Sequence, residues 1–146
     1  MNATARNVAT ALTYLGALPF WLLMLSPETF LDVNTASVFL SYGAIISSFM
    51  AGTLWGTART GRGDLLIIMA SNVFALAAFA TLVLGLSLTT LIVQMVLFGI
   101  LLLADHKTRA GREDQGWYLQ LRLRVTLIVA VAYGVVLIDR ALSVSG

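Results

Sequence analysis

Long apolar stretches alternate with short polar ones along the whole chain. A helix crosses the hydrocarbon core of a bilayer with about 20 mostly apolar residues. Five stretches meet or approach that length: Val8–Leu25, Thr35–Trp55, Leu65–Leu84, Ser87–Ala104 and Leu121–Leu142. They predict one domain over residues 1–146, an all-α bundle of five transmembrane helices. The first stretch follows Arg6, as in a secretion signal, but it is too long, and no small-x-small cleavage site precedes the polar segment Ser26–Asn34. It therefore reads as a retained helix. Pro19, with Gly16 just upstream, predicts a kink in it. Gly61 and Gly63 mark a plain turn after the second helix. Gly85 and Leu86 leave almost no loop, so helices three and four should form a tight antiparallel hairpin. The longest polar stretch runs from Asp105 to Gly116.

Composition supports lipid as the solvent. Of 146 residues, 59% are hydrophobic and 11% charged, with a mean hydropathy of +0.91. A typical soluble domain is about 25% charged, and this chain lacks the residues for a polar shell. Without cysteine, disulfides and thiolate sites are excluded. His106 is the single histidine, so zinc sites built from several histidines are excluded too.

Net charge is +2 and the pI is near 9.4, but nucleic acid is not the expected partner. Arg6, Arg59, Arg62, Lys107, Arg109, Arg112, Arg122 and Arg124 all fall on one side of a five-helix topology. The other side holds Arg140, with Glu28 and Asp32. Basic residues are retained in the cytoplasm, so the N-terminus is expected inside and the C-terminus outside.

Helix two carries a stripe of small residues at Ala44, Ser48, Gly52 and Gly56, extended by Ser37 and Ser41. Small residues four apart allow close approach of backbones in lipid. The stripe predicts helix two at the centre of the bundle, or else a homodimer face. Few polar residues lie within the spans. At about 1.5 Å per residue, Asn72, Ser48 and Tyr14 fall at one depth, and Gln94, Ser41, Tyr42 and Tyr133 at another. They predict two polar layers joined by interhelical hydrogen bonds, with a ligand site as the alternative.

No charged residue lies deep in a span, which disfavours pumps and proton-coupled transporters. The spans show no nucleophile with a base, no paired carboxylates and no phosphate loop. No enzyme, cofactor or metal site is expected. The cytoplasmic face is richer, with Trp55, Asp105, Trp117, Tyr118 and Arg122 near helix ends. Aromatic residues and arginines at such levels commonly form the interfacial belt. The alternative is a cluster in which Arg122 pairs with Asp105 and packs near Trp55.

Several motifs together resemble a known family. Leu15-Gly16-Ala17-Leu18-Pro19-Phe20 resembles a Gly-x-x-Pro-Phe signature. Tyr42-Gly43-Ala44-Ile45-Ile46-Ser47-Ser48-Phe49, with Gly52 and Trp55-Gly56, resembles the pattern Tyr-x-Ala-x-Ile-x-Ser-Phe, Gly, Trp-Gly. Trp117-Tyr118, Leu121-Arg122 and Thr126 resemble a Trp-Tyr-x-x-Leu-Arg opening of the last helix. The family is domain of unknown function 3429, similar to transmembrane protein 69. The resemblance implies a small multi-helix membrane protein of bacteria or mitochondria and supplies no activity. It also leads one to expect a polar residue, often histidine, before Trp-Gly, where this chain has Leu54.

The expected role is non-enzymatic: a multi-pass protein of the bacterial inner membrane that assists or stabilises another membrane component. Its partners would be the lipid bilayer and another membrane protein or a second copy. The alternative is a binder or carrier of an apolar small molecule such as a lipid, quinone or tetrapyrrole. A channel or transporter ranks below both.

Overall fold

A computed structural model describes residues 2–30, 32–57, 64–109 and 115–146. Its helices are α1 (Ala3–Leu25), α2 (Thr35–Thr53), α3 (Asp64–Leu84), α4 (Leu88–Arg109) and α5 (Gly116–Ser145). All five are long and apolar enough to cross a membrane. A 3-10 turn, Leu54–Thr57, continues α2. The turn at Gly61 and Gly63 and the basic residues Arg59, Arg62 and Arg112 lie outside the described residues.

Local chemistry sets the helix ends. The Asn2 side chain accepts from the Ala5 amide at 2.8 Å and starts α1 five residues before its apolar run. Pro27 follows its last turn, where the preceding residue is pushed out of helical geometry. Between α1 and α2 the chain makes a small antiparallel hairpin, β1 (Thr29–Phe30) and β2 (Val33–Asn34), with Asp32 at φ 61°. Asp tolerates the left-handed region better than most residues. Asn34 then caps α2 by accepting from the Ser37 amide at 3.1 Å. Gly85 ends α3 at φ 75°, a conformation that favours glycine. Ser87 and Thr90 cap α4 reciprocally: each amide donates to the other's hydroxyl, at 2.9 and 3.1 Å.

Four helices form a ring in the order α1, α2, α4, α5, and α3 packs outside it against α2 and α4. Large apolar side chains such as Leu76, Phe79, Val83, Ile138 and Leu142 point outward, as a lipid-facing surface requires. The core inside the ring centres on Phe20, Phe39, Phe98 and Tyr133. A second contact, in which the small residues Ala44 and Ala78 meet Leu97, brings α2, α3 and α4 close together.

Helix two is the most buried of the spans, as its small residues suggest, but its packing face differs from the expected stripe. Ala44 is buried, Ser48 is half-buried, and Gly52 and Gly56 are exposed. Among the described residues, no atom lies within 4 Å of where a Cβ at Gly52 or Gly56 would stand. The reason is helical drift. At 3.6 residues per turn, each step of four rotates about 40° past a full turn. Three steps carry the stripe about 120° around the helix, out of the contact it starts in. The buried face instead runs through Leu40, Gly43, Ala44, Ser47, Met50, Ala51 and Leu54, alternating steps of three and four.

Candidate functional site

Three features lie inside the ring. The deepest is a polar hub on Gln94, which is 0% exposed. Its Nε2 donates to the Leu40 carbonyl at 2.9 Å and to Thr81 Oγ1 at 2.7 Å. Its Oε1 accepts from the Tyr133 hydroxyl at 2.6 Å. One side chain of α4 thus ties α2, α3 and α5, and both its amide protons are used. The Tyr133 ring meets Phe39 at 4.8 Å, Phe98 at 5.7 Å and Phe20 at 5.8 Å between centroids. Gly43 lies directly beneath the hydroxyl and the amide oxygen; a Cβ there would overlap both.

Gln94 and Tyr133 meet as the depth count suggests. Ser41 does not join them; it is exposed and donates to its own Ser37 carbonyl. Tyr42 donates across to the Gly16 carbonyl of α1 at 2.7 Å. The second expected layer does not form. Asn72 is exposed and its Nδ2 donates to the Ile68 carbonyl one turn back, while Tyr14 is exposed on α1. Depth alone does not determine azimuth: Asn72 sits on the lipid side of α3, and its own helix satisfies one of its amide protons.

The second feature is a charged cluster where α4 ends and α5 begins. Asp105 is 0% exposed. Arg122 Nε donates to Asp105 Oδ2 at 2.7 Å, and Arg122 Nη2 stands 2.7 Å from the same oxygen. On the other side, Arg109 Nε is 3.5 Å from Asp105 Oδ1, and Arg109 Nη1 donates to Gln115 Oε1 at 3.1 Å. The Arg109 guanidinium lies 4.4 Å over the Tyr118 ring and that of Arg122 lies 5.8 Å from it, while Trp117 meets Tyr118 edge-on. The expected Asp105–Arg122 pair is therefore present. Trp55 is not its aromatic partner: it is 53% exposed and joins none of the cluster's ion pairs or ring contacts among the described residues. Tyr118 takes that place because it lies one turn before Arg122 on the same helix. The sequence pattern does not place Arg109 here, since it predicts that the span ends at Ala104. Its position four residues after Asp105 is the signal, once α4 is allowed to run on.

The third feature is an apolar cleft of about 420 Å³ between α1, α2 and α5. It exists because most of the α1 side chains there are small, at Ala9, Thr13, Gly16 and Ala17, with Leu12 and Phe20 the larger ones. Tyr118 and Arg122 line the cleft at its basic end; Phe20, Phe98 and Val129 line it deepest in the bundle. From Tyr118 to Val129 is roughly 16 Å along α5, half of a hydrocarbon core of about 30 Å.

The family described as Protein of unknown function (DUF3429) matches residues 5–138 of this chain. The chain belongs to DUF3429. No curated protein and no solved structure matches it. Several motif residues that carry the DUF3429 resemblance gather in the features above. Phe20 packs against Tyr133 and Tyr42, while Tyr118, Arg122 and Thr126 line the cleft; Gly52, Trp55 and Gly56 are exposed instead. Leu54, standing where the resemblance suggested a polar residue, is a fully buried part of the apolar core. In this DUF3429 member the position serves packing.

Proposed function

We propose that this DUF3429 protein is a non-enzymatic, multi-pass protein of the bacterial inner membrane that holds an apolar amphiphile in its α1–α2–α5 cleft. The observation that carries the reading is the cleft itself: an apolar space one leaflet deep, with a guanidinium at its polar end. Its volume falls within the roughly 300–1,000 Å³ of ordinary ligand pockets. This reading is the alternative raised by the sequence, and it ranks here above the role of assisting or stabilising another membrane component. Arg122 is only 9% exposed and lines the cleft, so it offers little to the surface of a partner.

Gly16→Leu tests the cleft. Gly16 lines it, and among the described residues a Cβ there would meet nothing within 4 Å. The larger side chain should occupy the space without displacing the core, and helix propensity should improve by up to about 1 kcal/mol. Lipid co-purifying with the wild type in mild detergent, counted by native mass spectrometry, should be lost from Gly16→Leu while the melting temperature holds or rises. Equal lipid occupancy in the two proteins would reject the cleft as the site.

The basic end faces the cytoplasm in this reading, since Lys and Arg concentrate there. Reporter fusions inserted within residues 110–114 should be active in the cytoplasm, and fusions after Gly146 outside it. A cytoplasmic C-terminal fusion would rule out this orientation of five spans.

A further inference from the structure

Among the described residues, the charged cluster at the polar end of the cleft is not neutral: Arg109 and Arg122 share the one carboxylate of Asp105, leaving one positive charge in excess. The pairing is also incomplete. Asp105 Oδ1, Arg109 Nε and Arg122 Nη2 are buried and make no hydrogen bond among the described residues. A carboxylate can take both arms of one guanidinium on its two oxygens, but here both contacts from Arg122 fall on Oδ2, and Arg109 claims the other side. A buried excess charge is costly, and salt screens it poorly. Of the two arginines, Arg122 lines the cleft.

Resting on the cleft reading above, we infer that the amphiphile's head is a monoanionic oxyacid group, a carboxylate or a phosphodiester, bound by Arg122 with Asp105 as the residue that positions it. One added negative charge brings the cluster to neutrality. A zwitterionic head adds no net charge, and a phosphomonoester reverses the sign. The ligand is an amphiphile because the space behind Arg122 is apolar and reaches the rings of Phe20 and Phe98. A planar guanidinium presents paired donors to either kind of head, which an ammonium cannot do.

The test uses the purified full chain in detergent, with oleate, phosphatidylglycerol, phosphatidylcholine and inorganic phosphate as competing probes in native mass spectrometry. Wild type should prefer oleate or phosphatidylglycerol over phosphatidylcholine by about tenfold or more, the scale of a charge-assisted hydrogen bond. The better of those two probes tells a carboxylate head from a phosphodiester. Arg122→Gln should bring the preference close to one while leaving the chain-binding cleft occupied. Arg109→Gln is the sharper variant. It leaves the Arg122–Asp105 pair and removes the excess charge, and Arg109 is not among the residues lining the cleft. Loss of anion preference in Arg109→Gln, at unchanged melting temperature, therefore reports charge rather than contact. Arg122→Lys should keep the charge and lose most of the preference. Lipid bound without anionic preference would overturn the headgroup inference and leave the cleft reading standing. No bound lipid from any probe would overturn both. Displacement of bound lipid by inorganic phosphate at equal concentration would mark a free-anion site and overturn the lipid head.

Discussion

Gly43→Ala is expected to be among the most damaging single-methyl changes in the protein. The new Cβ would overlap both the Tyr133 hydroxyl and Gln94 Oε1. Neither can move freely. Tyr133 is held among three phenylalanine rings, and Gln94 already gives both amide protons to Leu40 and Thr81. Overpacking a tight core costs about 1–3 kcal/mol. Leaving buried polar groups unpaired adds about 1–3 kcal/mol. Loss of a single interhelical hydrogen bond in a membrane protein averages only about 0.6 kcal/mol. The expected destabilisation is therefore about 3 kcal/mol, well beyond one bond. Denaturant unfolding in mixed micelles would measure it. Gly52→Ala is the control and should be neutral or slightly stabilising, because its Cβ meets open space and Ala favours the helix. Matching midpoints for the two variants would show that the hub does not hold the bundle.

The second large effect is expected from Asp105→Asn. The change preserves shape and removes the anion, leaving Arg109 and Arg122 facing each other across a site whose centre is inaccessible to water. Breaking a buried pair by removing one partner costs about 3–5 kcal/mol. The side chains of Arg109 and Arg122 retain slight exposure, 15% and 11%, which places the expectation at the lower end of that range. Replacing both partners, Asp105→Leu with Arg122→Met, should cost less than Asp105→Asn alone, because one fewer unpaired charge remains. Unfolding midpoints of the three proteins decide it. An Asp105→Asn protein as stable as wild type would mean that the arginines find water or lipid phosphate without help from Asp105.

The five spans were legible because their signal is simple: length and apolarity set by the thickness of a bilayer. Their ends were less so. Arg109 sits in a segment that hydropathy assigns to a loop, yet helical geometry persists there because Asp105 and Arg109 fall on one face. The hairpin at Thr29–Asn34 left no trace because two-residue strands are too short to show alternation. Pairs that depend on level alone, Asp105 with Arg122 and Gln94 with Tyr133, were readable from counting along helices. Features that depend on azimuth were not. Gly43 and Gly52 look alike in sequence, but only Gly43 lies under a neighbour's side chain. The cleft was also hidden, since it arises from what small residues on α1 fail to fill.

Tyr133 belongs to the last helix, while the rings around it come from the first, second and fourth. During synthesis, the residue that joins them is therefore made after all four preceding spans. At about 5–20 residues per second, the interval between the end of α4 and Tyr133 lasts roughly one to five seconds. Throughout it Gln94 lacks its phenolic donor and Phe20 and Phe98 lack their common neighbour, and for the first half of it Asp105 waits for Arg122. The core can close only once the last helix has left the ribosome. Until then Gln94 and the three phenylalanine rings lack their shared partner, which makes the nascent chain the form most in need of an insertase or chaperone.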